Sequence, residues 1–251
     1  MAELQGKRAL VTGAARGFGR AISEVLLREG AQVMLCDVQD DQVSKTADEL
    51  GAASVRCDVS VASDVQAAIQ ATVDAFGGID VVVNNAGIVH NYSLLDETEE
   101  DFDRIIAVNQ KGVFFGIKYG APAIIASGGG AIVNMSSVAG LGGAPLFGAY
   151  AATKHAVIGL TRTAAVELRD AGVRVNAVCP GLAETQMTAE LAPVVEAALG
   201  ASLMPVVQAM QGRLVKPLEV AEAVAFLASD RASFITGVAL PVDNTMTARL
   251  I

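Results

Sequence analysis

The sequence predicts an α/β protein built on a doubly wound parallel sheet, and two observations support this fold class. Apolar runs of five or six residues alternate with longer stretches of helical periodicity, and this alternation occurs six times. Repeated strand–helix alternation is typical of parallel strands joined by crossover helices. Because such crossovers are right-handed, the helices cover both faces of the sheet. We therefore expect about seven strands within a single domain that spans 1–251.

The predicted elements follow one another without a linker, a low-complexity tract or an internal repeat. The expected strands are 8–12, 32–37, 53–58, 79–85, 130–136, 173–179 and 237–242. The expected helices are 17–29, 40–50, 62–76, 98–126, 149–170 and 217–229. Segment 182–214 breaks this rhythm, since it is long, rich in Ala, Leu, Val and Met, and contains two prolines. Its position after the sixth strand predicts a helical flap over a substrate site.

The bulk composition argues against several classes of protein. The 251 residues are 52% hydrophobic and 18% charged, with a mean hydropathy of +0.45. Every apolar run ends well short of the ~20 residues that a membrane-spanning helix needs, so the apolar surplus indicates buried strands and helices. The formal net charge of −9 argues against nucleic-acid binding, which depends on Lys and Arg neutralising phosphates. The negative net charge does not exclude a small anionic cofactor, since backbone N–H groups at a helix N-terminus can bind it.

The N-terminus MAELQGKRALV lacks the charged and apolar regions of a secretory signal. The cysteines Cys36, Cys57 and Cys179 are an odd number without metal-ligand spacing, and we interpret them as buried free thiols. The histidines, His90 and His155, have no companions suited to a metal site. We therefore expect a cytoplasmic protein with a small-molecule substrate and no metal, nucleic-acid or membrane partner.

A glycine-rich turn follows the first predicted strand. The segment TGAARGFG places Gly13, Gly17 and Gly19 where a strand turns directly into a helix, which lets a pyrophosphate approach the helix N-terminus. Asp37 ends the second strand and fits the carboxylate that hydrogen-bonds the ribose hydroxyls of an adenosine. Such a carboxylate repels a 2′-phosphate and favours NAD over NADP, whereas Arg16 in the turn could pair with that phosphate. A tight turn without a ligand is the alternative.

Polar and small residues also follow the third and fourth predicted strands. Ligands bind outside the carboxyl ends of the strands in this class of sheet. Asp58 could accept a hydrogen bond from an adenine amino group, with Val59 beside the ring, or it could cap the following helix. The run NNAG, which ends in Asn85, Ala86 and Gly87, suggests side chains that anchor the backbone of a site.

Taken in order, the motifs TGAARGFG, NNAG, GAIVNMSSVAG, YAATK and CPG, with the acid that ends the second strand, resemble those of the short-chain dehydrogenase/reductase family. The likeness extends over about 7–242, and 212–237 is similar to the C-terminal part of the family. The resemblance implies a Rossmann-like sheet with strand order 3-2-1-4-5-6-7, a nicotinamide cofactor and a homotetramer. It also implies four catalytic residues, which are Asn109, Ser137, Tyr150 and Lys154.

The resemblance assigns further contacts to the cofactor. The family holds the nicotinamide with the turn after the sixth strand, through a backbone N–H and a threonine hydroxyl that correspond here to Ala183 and Thr185. The complete set of expected cofactor-binding residues is Gly13, Arg16, Gly17, Phe18, Gly19, Asp37, Asp58, Val59, Asn85, Ala86, Gly87, Val108, Tyr150, Lys154, Pro180, Gly181, Ala183 and Thr185.

The chemistry of carbonyl reduction gives each of the four catalytic residues a role. The reaction needs a hydride donor and a proton donor for the developing alkoxide. A free phenol has a pKa of about 10, and a nearby ammonium stabilises the phenolate, so we expect Lys154 to lower the pKa of Tyr150 from one helical turn away. Ser137 can hydrogen-bond the substrate oxygen. Asn109 is expected to hold a water for proton exchange with solvent.

The expected walls of the substrate site are mostly apolar, and they are 90–92, Val138, Ala144, Phe147, Met187, Leu191, Leu203 and Met204. Phe147 and Met187 join Ser137 and Tyr150 as expected substrate contacts. Because no cluster of Arg or Lys is available to bind a carboxylate or phosphate, we expect an NAD-dependent oxidoreductase for an apolar secondary alcohol or ketone, cyclic or aromatic. The alternatives are a 3-oxoacyl-[acyl-carrier-protein] reductase and a catalytically silent dinucleotide-binding regulator.

The C-terminal turn departs from the resemblance. Asn244 and Thr245 stand where many relatives carry two glycines. Glycine adopts a positive φ freely, Asn tolerates it and Thr does so poorly. We expect residues 246–251 to close a neighbouring subunit's pocket or to pack at an interface.

Overall fold

The computed structural model describes residues 2–248, which form a seven-stranded, all-parallel sheet in the order β3-β2-β1-β4-β5-β6-β7. The strands are β1 (Arg8–Thr12), β2 (Gln32–Asp37), β3 (Ala53–Arg56), β4 (Val81–Asn84), β5 (Gly130–Met135), β6 (Val173–Pro180) and β7 (Ala239–Val242). The predicted fold class and the strand order are confirmed.

Helices connect successive strands and cover both faces of the sheet. They are α1 (Gly17–Arg28), α2 (Asp40–Leu50), α3 (Ala62–Phe76), α4 (Glu99–Ile106), α5 (Gly112–Ala126), α6 (Gly148–Leu168), α7 (Gln186–Leu199), α8 (Leu203–Gln211) and α9 (Pro217–Ala228). Within residues 2–248, no single helix has the length and apolar character needed to cross a membrane, and α7 and α8 meet that criterion only when counted together across a bend of 104°.

Several predicted elements have other bounds in the structure: β4 and β7 each begin two residues later than expected, and two further differences bear on the site. The single helix expected over 98–126 is interrupted by a π-helical turn at Ala107–Lys111, which separates α4 from α5. A π-helical turn inserts one residue into a helix and carries no compositional marker, so periodicity alone does not predict it. The third strand, expected to reach 58, ends at Arg56. Beyond it, the Asp58 carboxylate accepts hydrogen bonds from the N–H and the hydroxyl of Ser60, which turns the chain away from the sheet.

Alternation along the strands divides the core into two layers. Val11, Val83 and Val133 belong to the layer that includes α1 and α9, while their neighbours Leu10, Val82 and Ile132 pack with α3 and α5 on the other face. Successive strand residues point to opposite faces, so each central strand is buried on both sides. This burial accounts for the high apolar content of the sequence.

A chain of buried polar side chains joins the centre of the sheet to α6. The Asn84 Nδ2 donates to Asn134 Oδ1 at 2.8 Å, and Asn134 Nδ2 donates to Thr161 Oγ1 at 2.9 Å. Gly116 on α5 leaves the space that the Asn84 side chain occupies. Buried polar groups need partners, so these bonds fix how α6 lies on β4 and β5.

Gly116→Ala is expected to destabilise the protein by about 1–3 kcal/mol, because its methyl group would overlap the buried Asn84 side chain. Gly159→Ala on α6 is the matched control. A methyl group there meets no atom within 4 Å outside its own helix, and alanine in place of a helical glycine favours the helix by up to about 1 kcal/mol. Urea unfolding measures both. A Gly116→Ala protein as stable as the wild type would contradict this packing.

Candidate active site at the carboxyl edge of the sheet

The turns after β1 and β4 are tied together at the carboxyl edge of the sheet. The Asn85 Nδ2 donates to the carbonyl oxygens of Thr12 at 2.8 Å and Gly13 at 3.1 Å. In return, Thr12 Oγ1 accepts hydrogen bonds from the backbone N–H groups of Asn85 and Ala86 at 2.9 and 3.0 Å. Asn85 therefore shapes the glycine-rich turn, as a backbone-anchoring side chain does.

The glycine-rich turn fits a dinucleotide pyrophosphate. Gly13 has φ +65°, and a Cβ there would lie 2.7 Å from the Cα of Ala86. A Cβ at Gly19 would overlap the carbonyl oxygen of Gly13. Gly17, with φ +58° and open space beside it, begins α1. The turn thus presents bare backbone at a helix N-terminus, the arrangement that binds phosphate groups.

The Asp37 carboxylate is buried beside this turn and held by backbone donors. Its Oδ2 accepts from the N–H of Ala15 at 3.1 Å, and its Oδ1 accepts from the N–H of Gln39 at 3.0 Å. Arg16 instead extends to α7, where its Nη1 donates to Gln186 Oε1 at 2.5 Å. Asp37 and Arg16, which were expected to have opposite effects on the choice between NAD and NADP, therefore have separate partners.

The residues expected near the adenine differ in how they are engaged. Asp58 Oδ1 accepts from Ser60 N–H at 2.9 Å and from Ser60 Oγ at 2.6 Å, so this carboxylate stabilises a turn before α3. It does not cap the helix, whose N-cap residue is Val61 without a side-chain cap. Val59 is buried against the start of α5, where a Cβ at Gly112 would lie 3.0 Å from Val59 Cγ2. Val108 is partly buried in the same apolar layer.

Asn109 lies in the π-helical turn and is fully buried. Its Oδ1 accepts from Ile88 N–H at 2.8 Å, while its Nδ2 donates to the Ile88 carbonyl at 2.9 Å and to Thr153 Oγ1 at 3.3 Å. Thr153 Oγ1 in turn donates to the carbonyl oxygen of Tyr150 at 2.7 Å. Asn109 thus joins the loop after β4 to the start of α6.

Lys154 is held against the end of β5. Its Nζ donates to the carbonyl oxygen of Met135 at 2.8 Å and lies 5.4 Å from the centre of the Tyr150 ring. A Cβ at Gly87 would lie 3.6 Å from this Nζ and 3.4 Å from Asn109 Oδ1. Gly87, Asn109 and Lys154 are therefore neighbours, and the backbone at Gly87 approaches both polar groups.

Ser137 and Tyr150 complete the group. The Ser137 hydroxyl neighbours the Tyr150 phenol and favours its ionised form, which lowers the pKa of Tyr150, and Ser137 Oγ accepts from Ala139 N–H at 3.1 Å. Phe147 packs edge-on against the Tyr150 ring, with centroids 6.0 Å apart. The structure therefore brings together all four residues that the resemblance assigns to catalysis.

Burial dominates the ionisation of this pair. It raises the pKa of Tyr150 to about 12, against the opposing effect of the Ser137 hydrogen bond. It lowers the pKa of Lys154 to about 8. The expectation that Lys154 lowers the pKa of the phenol is not met in this state, because both groups have lost water and the Lys154 ammonium is bonded to Met135 rather than to the phenol.

The residues expected near the nicotinamide follow β6. Pro180 ends this strand, and Gly181 N–H donates to the carbonyl oxygen of Val242. Ala183 is buried and pairs with Val215, which closes the base of segment 182–214. Thr185 is the N-cap residue of α7, and its Oγ1 accepts from Thr188 N–H at 3.3 Å.

A cavity of about 710 Å³ opens beside Ser137 and Tyr150. No Asp, Glu, Lys, Arg or His side chain lines it in the described part of the chain. The expected wall residues that do line it are Val138, Ala144, Phe147, Met187, Leu191 and Leu203, and Phe18, expected as a cofactor contact, lines it as well. The expected walls 90–92 and Met204 do not line it. His90 is instead bonded to Glu97 at 2.8 Å, and Met204 is 51% exposed on α8.

Several residues at this site are absent from the predicted set. Gln211 is buried where segment 182–214 ends, and Val89, Met246 and Thr247 are among those that line the cavity. Gln211 carried one signal, since it is a polar side chain in an apolar helix directly before a glycine. Met246 and Thr247 were expected at a neighbouring subunit rather than here, and Val89 carried no signal.

The cysteines and potential metal ligands lie outside this chemistry. Cys36, Cys57 and Cys179 are buried free thiols, as predicted. Burial raises the pKa of the Cys179 thiol. Among residues 2–248, no three His, Cys, Asp or Glu side chains form a group that could hold a metal ion.

Comparison with known proteins supports the arrangement. Residues 13–247 match a family model described as enoyl-(acyl carrier protein) reductase. The chain is 39% identical over 255 residues to cyclohexanol dehydrogenase of Acinetobacter sp. strain SE19, covering 98% of this chain and 97% of that protein. It is 41% identical over 255 residues to the oxidoreductase UcpA of Salmonella typhimurium strain LT2, with the same coverage.

Another dehydrogenase and a solved structure are also similar. The chain is 39% identical over 246 residues to 2,5-dichloro-2,5-cyclohexadiene-1,4-diol dehydrogenase LinX of Sphingobium indicum, covering 96% of each. The crystal structure of levodione reductase superposes with a TM-score of 0.93 at 32% identity, covering 98% of this chain and 99% of that one.

Lys154→Met tests the burial of this ammonium. The pKa of Lys154 is about 8 in the folded protein against an ordinary value of 10.5, so between these two values the unfolded chain binds one more proton here than the folded protein. The free energy of unfolding therefore rises with pH across that window, by on the order of 3 kcal/mol from this group. Urea unfolding across the window measures it. We expect the rise to be smaller in Lys154→Met, and an equal rise in both proteins would contradict the burial.

Proposed function

Since this chain belongs to the short-chain dehydrogenase/reductase family, an oxidoreductase family that uses a nicotinamide dinucleotide, we propose that it interconverts an apolar, cyclic secondary alcohol and its ketone with NAD as cofactor. One observation carries the proposal. Ser137 and Tyr150 border a cavity whose described lining has no ionisable side chain other than Tyr150.

In the proposed reaction, Tyr150 exchanges a proton with the substrate oxygen. Its pKa of about 12 keeps the phenol protonated near neutral pH, so it is ready to donate to the oxygen of a ketone. In the oxidative direction the proton passes from the alcohol to the phenolate. Ser137 donates a second hydrogen bond to the same oxygen and stabilises the charge that develops there. When bound, the nicotinamide supplies the hydride donor or acceptor.

Lys154 and Asn109 support Tyr150 in this account. The Lys154 ammonium, fixed by the Met135 carbonyl beside Gly87, would bind the nicotinamide ribose and favour the phenolate once that ribose is in place. Asn109 fixes the start of α6 through Thr153. Its expected role in holding a water for proton exchange stays a prediction.

The preference for NAD rests on Asp37. This carboxylate is aligned by two backbone N–H groups at the end of β2, the place where the adenosine ribose of a dinucleotide lies in such sheets. A 2′-phosphate would meet a buried negative charge there. Arg16, the side chain that could have paired with the phosphate, is bonded to Gln186.

The cavity supports the choice of substrate class. A neutral, apolar wall suits a ring without charged groups, and relatives named for cyclohexanol and a cyclohexadienediol act on such rings. A thioester on an acidic carrier protein would call for basic residues at the mouth. Arg213, near the end of segment 182–214, is paired with Glu219. We further propose that segment 182–214 is the substrate flap of a single domain and that the protein works as a homotetramer.

Tyr150→Phe is expected to lower kcat/KM for cyclohexanol by about 100- to 10,000-fold, the range for loss of a general acid–base group. The dissociation constant for NADH should stay within about twofold, because the ring is retained. Tyr92→Phe is the matched control, since Tyr92 is 42% exposed and does not line the cavity. Turnover that persists in Tyr150→Phe would remove Tyr150 from the mechanism.

Asp37→Asn is expected to reduce the preference for NADH over NADPH by at least about tenfold, because like charges in contact disfavour binding strongly. The ratio of the two dissociation constants, measured by cofactor fluorescence, reports it. Asp41→Ala removes an exposed carboxylate from α2 and should leave the ratio within about twofold. A wild type that binds NADPH more tightly than NADH would contradict the assignment.

A further inference from the structure

The turn between β7 and the C-terminus has a conformation that its residues adopt reluctantly. Asn244 has φ +45° and Thr245 has φ +76°, so the backbone keeps the positive φ values that two glycines would provide. A β-branched residue at such an angle is strained, and strain of this kind persists only where the surroundings hold it.

Side-chain and backbone hydrogen bonds hold the turn in place. Asn244 Nδ2 donates to the carbonyl oxygen of Gln211 at 2.8 Å. Asp243 Oδ2 accepts from the N–H and the hydroxyl of Thr247 at 2.7 and 2.6 Å, and Met246 N–H donates to the Asp243 carbonyl at 3.1 Å. The turn is therefore anchored at both ends.

Its anchor, Gln211, also closes segment 182–214. The Gln211 side chain is 2% exposed, its Oε1 accepts from Leu182 N–H at 2.9 Å, and its Nε2 donates to the carbonyl oxygens of Leu182 and Arg213 at 2.6 Å each. Leu182 and Arg213, at the two ends of the segment, thus meet on one buried amide. Because Asn244 is bonded to the backbone of the same residue, Gln211 connects the C-terminal turn to both ends of segment 182–214.

This geometry directs Met246 and Thr247 to the cavity of their own chain. Both line the same cavity as Ser137 and Tyr150. The expected placement of 246–251 over a neighbouring subunit's pocket does not describe these two residues, and 249–251 lie outside the described residues. Met246 is half-buried and contributes an unbranched, polarisable side chain, which adapts well to apolar ligands.

We propose that Met246 is a specificity-determining residue that packs on the apolar ring of the substrate, and that Asn244, through Gln211, sets its position. The proposal rests on the proposed function for the identity of the ligand. The apolar wall that Met246 contributes to the cavity is a property of this chain's residues, and its effect on ligand binding can be measured without turnover.

The test measures binding of prodan, a neutral naphthalene dye, to the cofactor-free protein by fluorescence. Met246→Ala removes a contact in an apolar pocket, so the dissociation constant should rise about tenfold. Asn244→Gly keeps the positive φ but loses the bond to Gln211, and it should weaken binding in the same direction by about threefold. Met246→Leu keeps the volume and should stay within about twofold.

Met204→Ala is the matched control, because it shortens an exposed methionine on α8 that does not line the cavity. It should bind the dye like the wild type. An unchanged dissociation constant in Met246→Ala, or the lack of dye binding by the wild type, would overturn the inference.

A kinetic measurement separates this inference from the proposed function. In the wild type and in Met246→Ala, kcat/KM is compared for cyclohexanol and a bulkier ring such as 4-tert-butylcyclohexanol. We expect the ratio to move about tenfold toward the bulkier alcohol in Met246→Ala. If the wild type oxidises neither alcohol while Met246→Ala still binds the dye more weakly than the wild type, the proposed function is wrong and the role of Met246 in binding an apolar ligand is supported. If the enzyme is active but the ratio of the two kcat/KM values is the same in Met246→Ala as in the wild type, the role of Met246 in specificity is wrong and the proposed function is not affected.

Discussion

The site depends on how α6 is seated on the end of β5. Lys154 Nζ donates to the Met135 carbonyl, and Ser136 Oγ donates to the Lys154 carbonyl at 2.9 Å, so each element supplies a donor to the other. Gly140 permits the approach, since a Cβ there would overlap Ser136 Oγ and lie 2.8 Å from the Lys154 carbonyl oxygen. Without this contact, Tyr150 would lose its register with Ser137.

The same seating determines the electrostatics of the site. Dehydration of a phenol and an ammonium at one place favours the neutral form of each, which is why burial raises the pKa of Tyr150 and lowers the pKa of Lys154. A neutral phenol is a proton donor. A charge carried by the bound cofactor or developing on the substrate oxygen would then change the pKa values of Tyr150 and Lys154. Proton transfer is therefore sensitive to what occupies the cavity.

Much of this arrangement was predictable because the carboxyl ends of parallel strands meet at one edge. Strand periodicity gave the sheet, and local motifs located the turns at Gly13, Asp37 and Gly87 on that edge. The π-helical turn at Ala107–Lys111 was not predictable, since one residue inserted into a helix leaves no compositional marker. The direction of the pKa shift at Tyr150 also required the burial of its surroundings, which spacing along the helix does not reveal.

The cavity wall was predicted only in part, for a related reason. Val138, Phe147 and Met187 lie next to recognisable motifs and were placed correctly. Met246 lies at the cavity in a C-terminal turn that Asn244 bonds to the carbonyl of Gln211, 33 residues away in sequence. Contacts between segments so far apart in sequence depend on the assembled fold.

The most direct test of the account is the transfer of deuterium from cyclohexanol labelled at its carbinol carbon to NAD, followed by mass spectrometry of the purified wild-type protein's products. The account predicts singly deuterated NADH in an amount equal to the cyclohexanone formed. Cyclohexanone without deuterium in the reduced cofactor, or no ketone with either NAD or NADP, would contradict it.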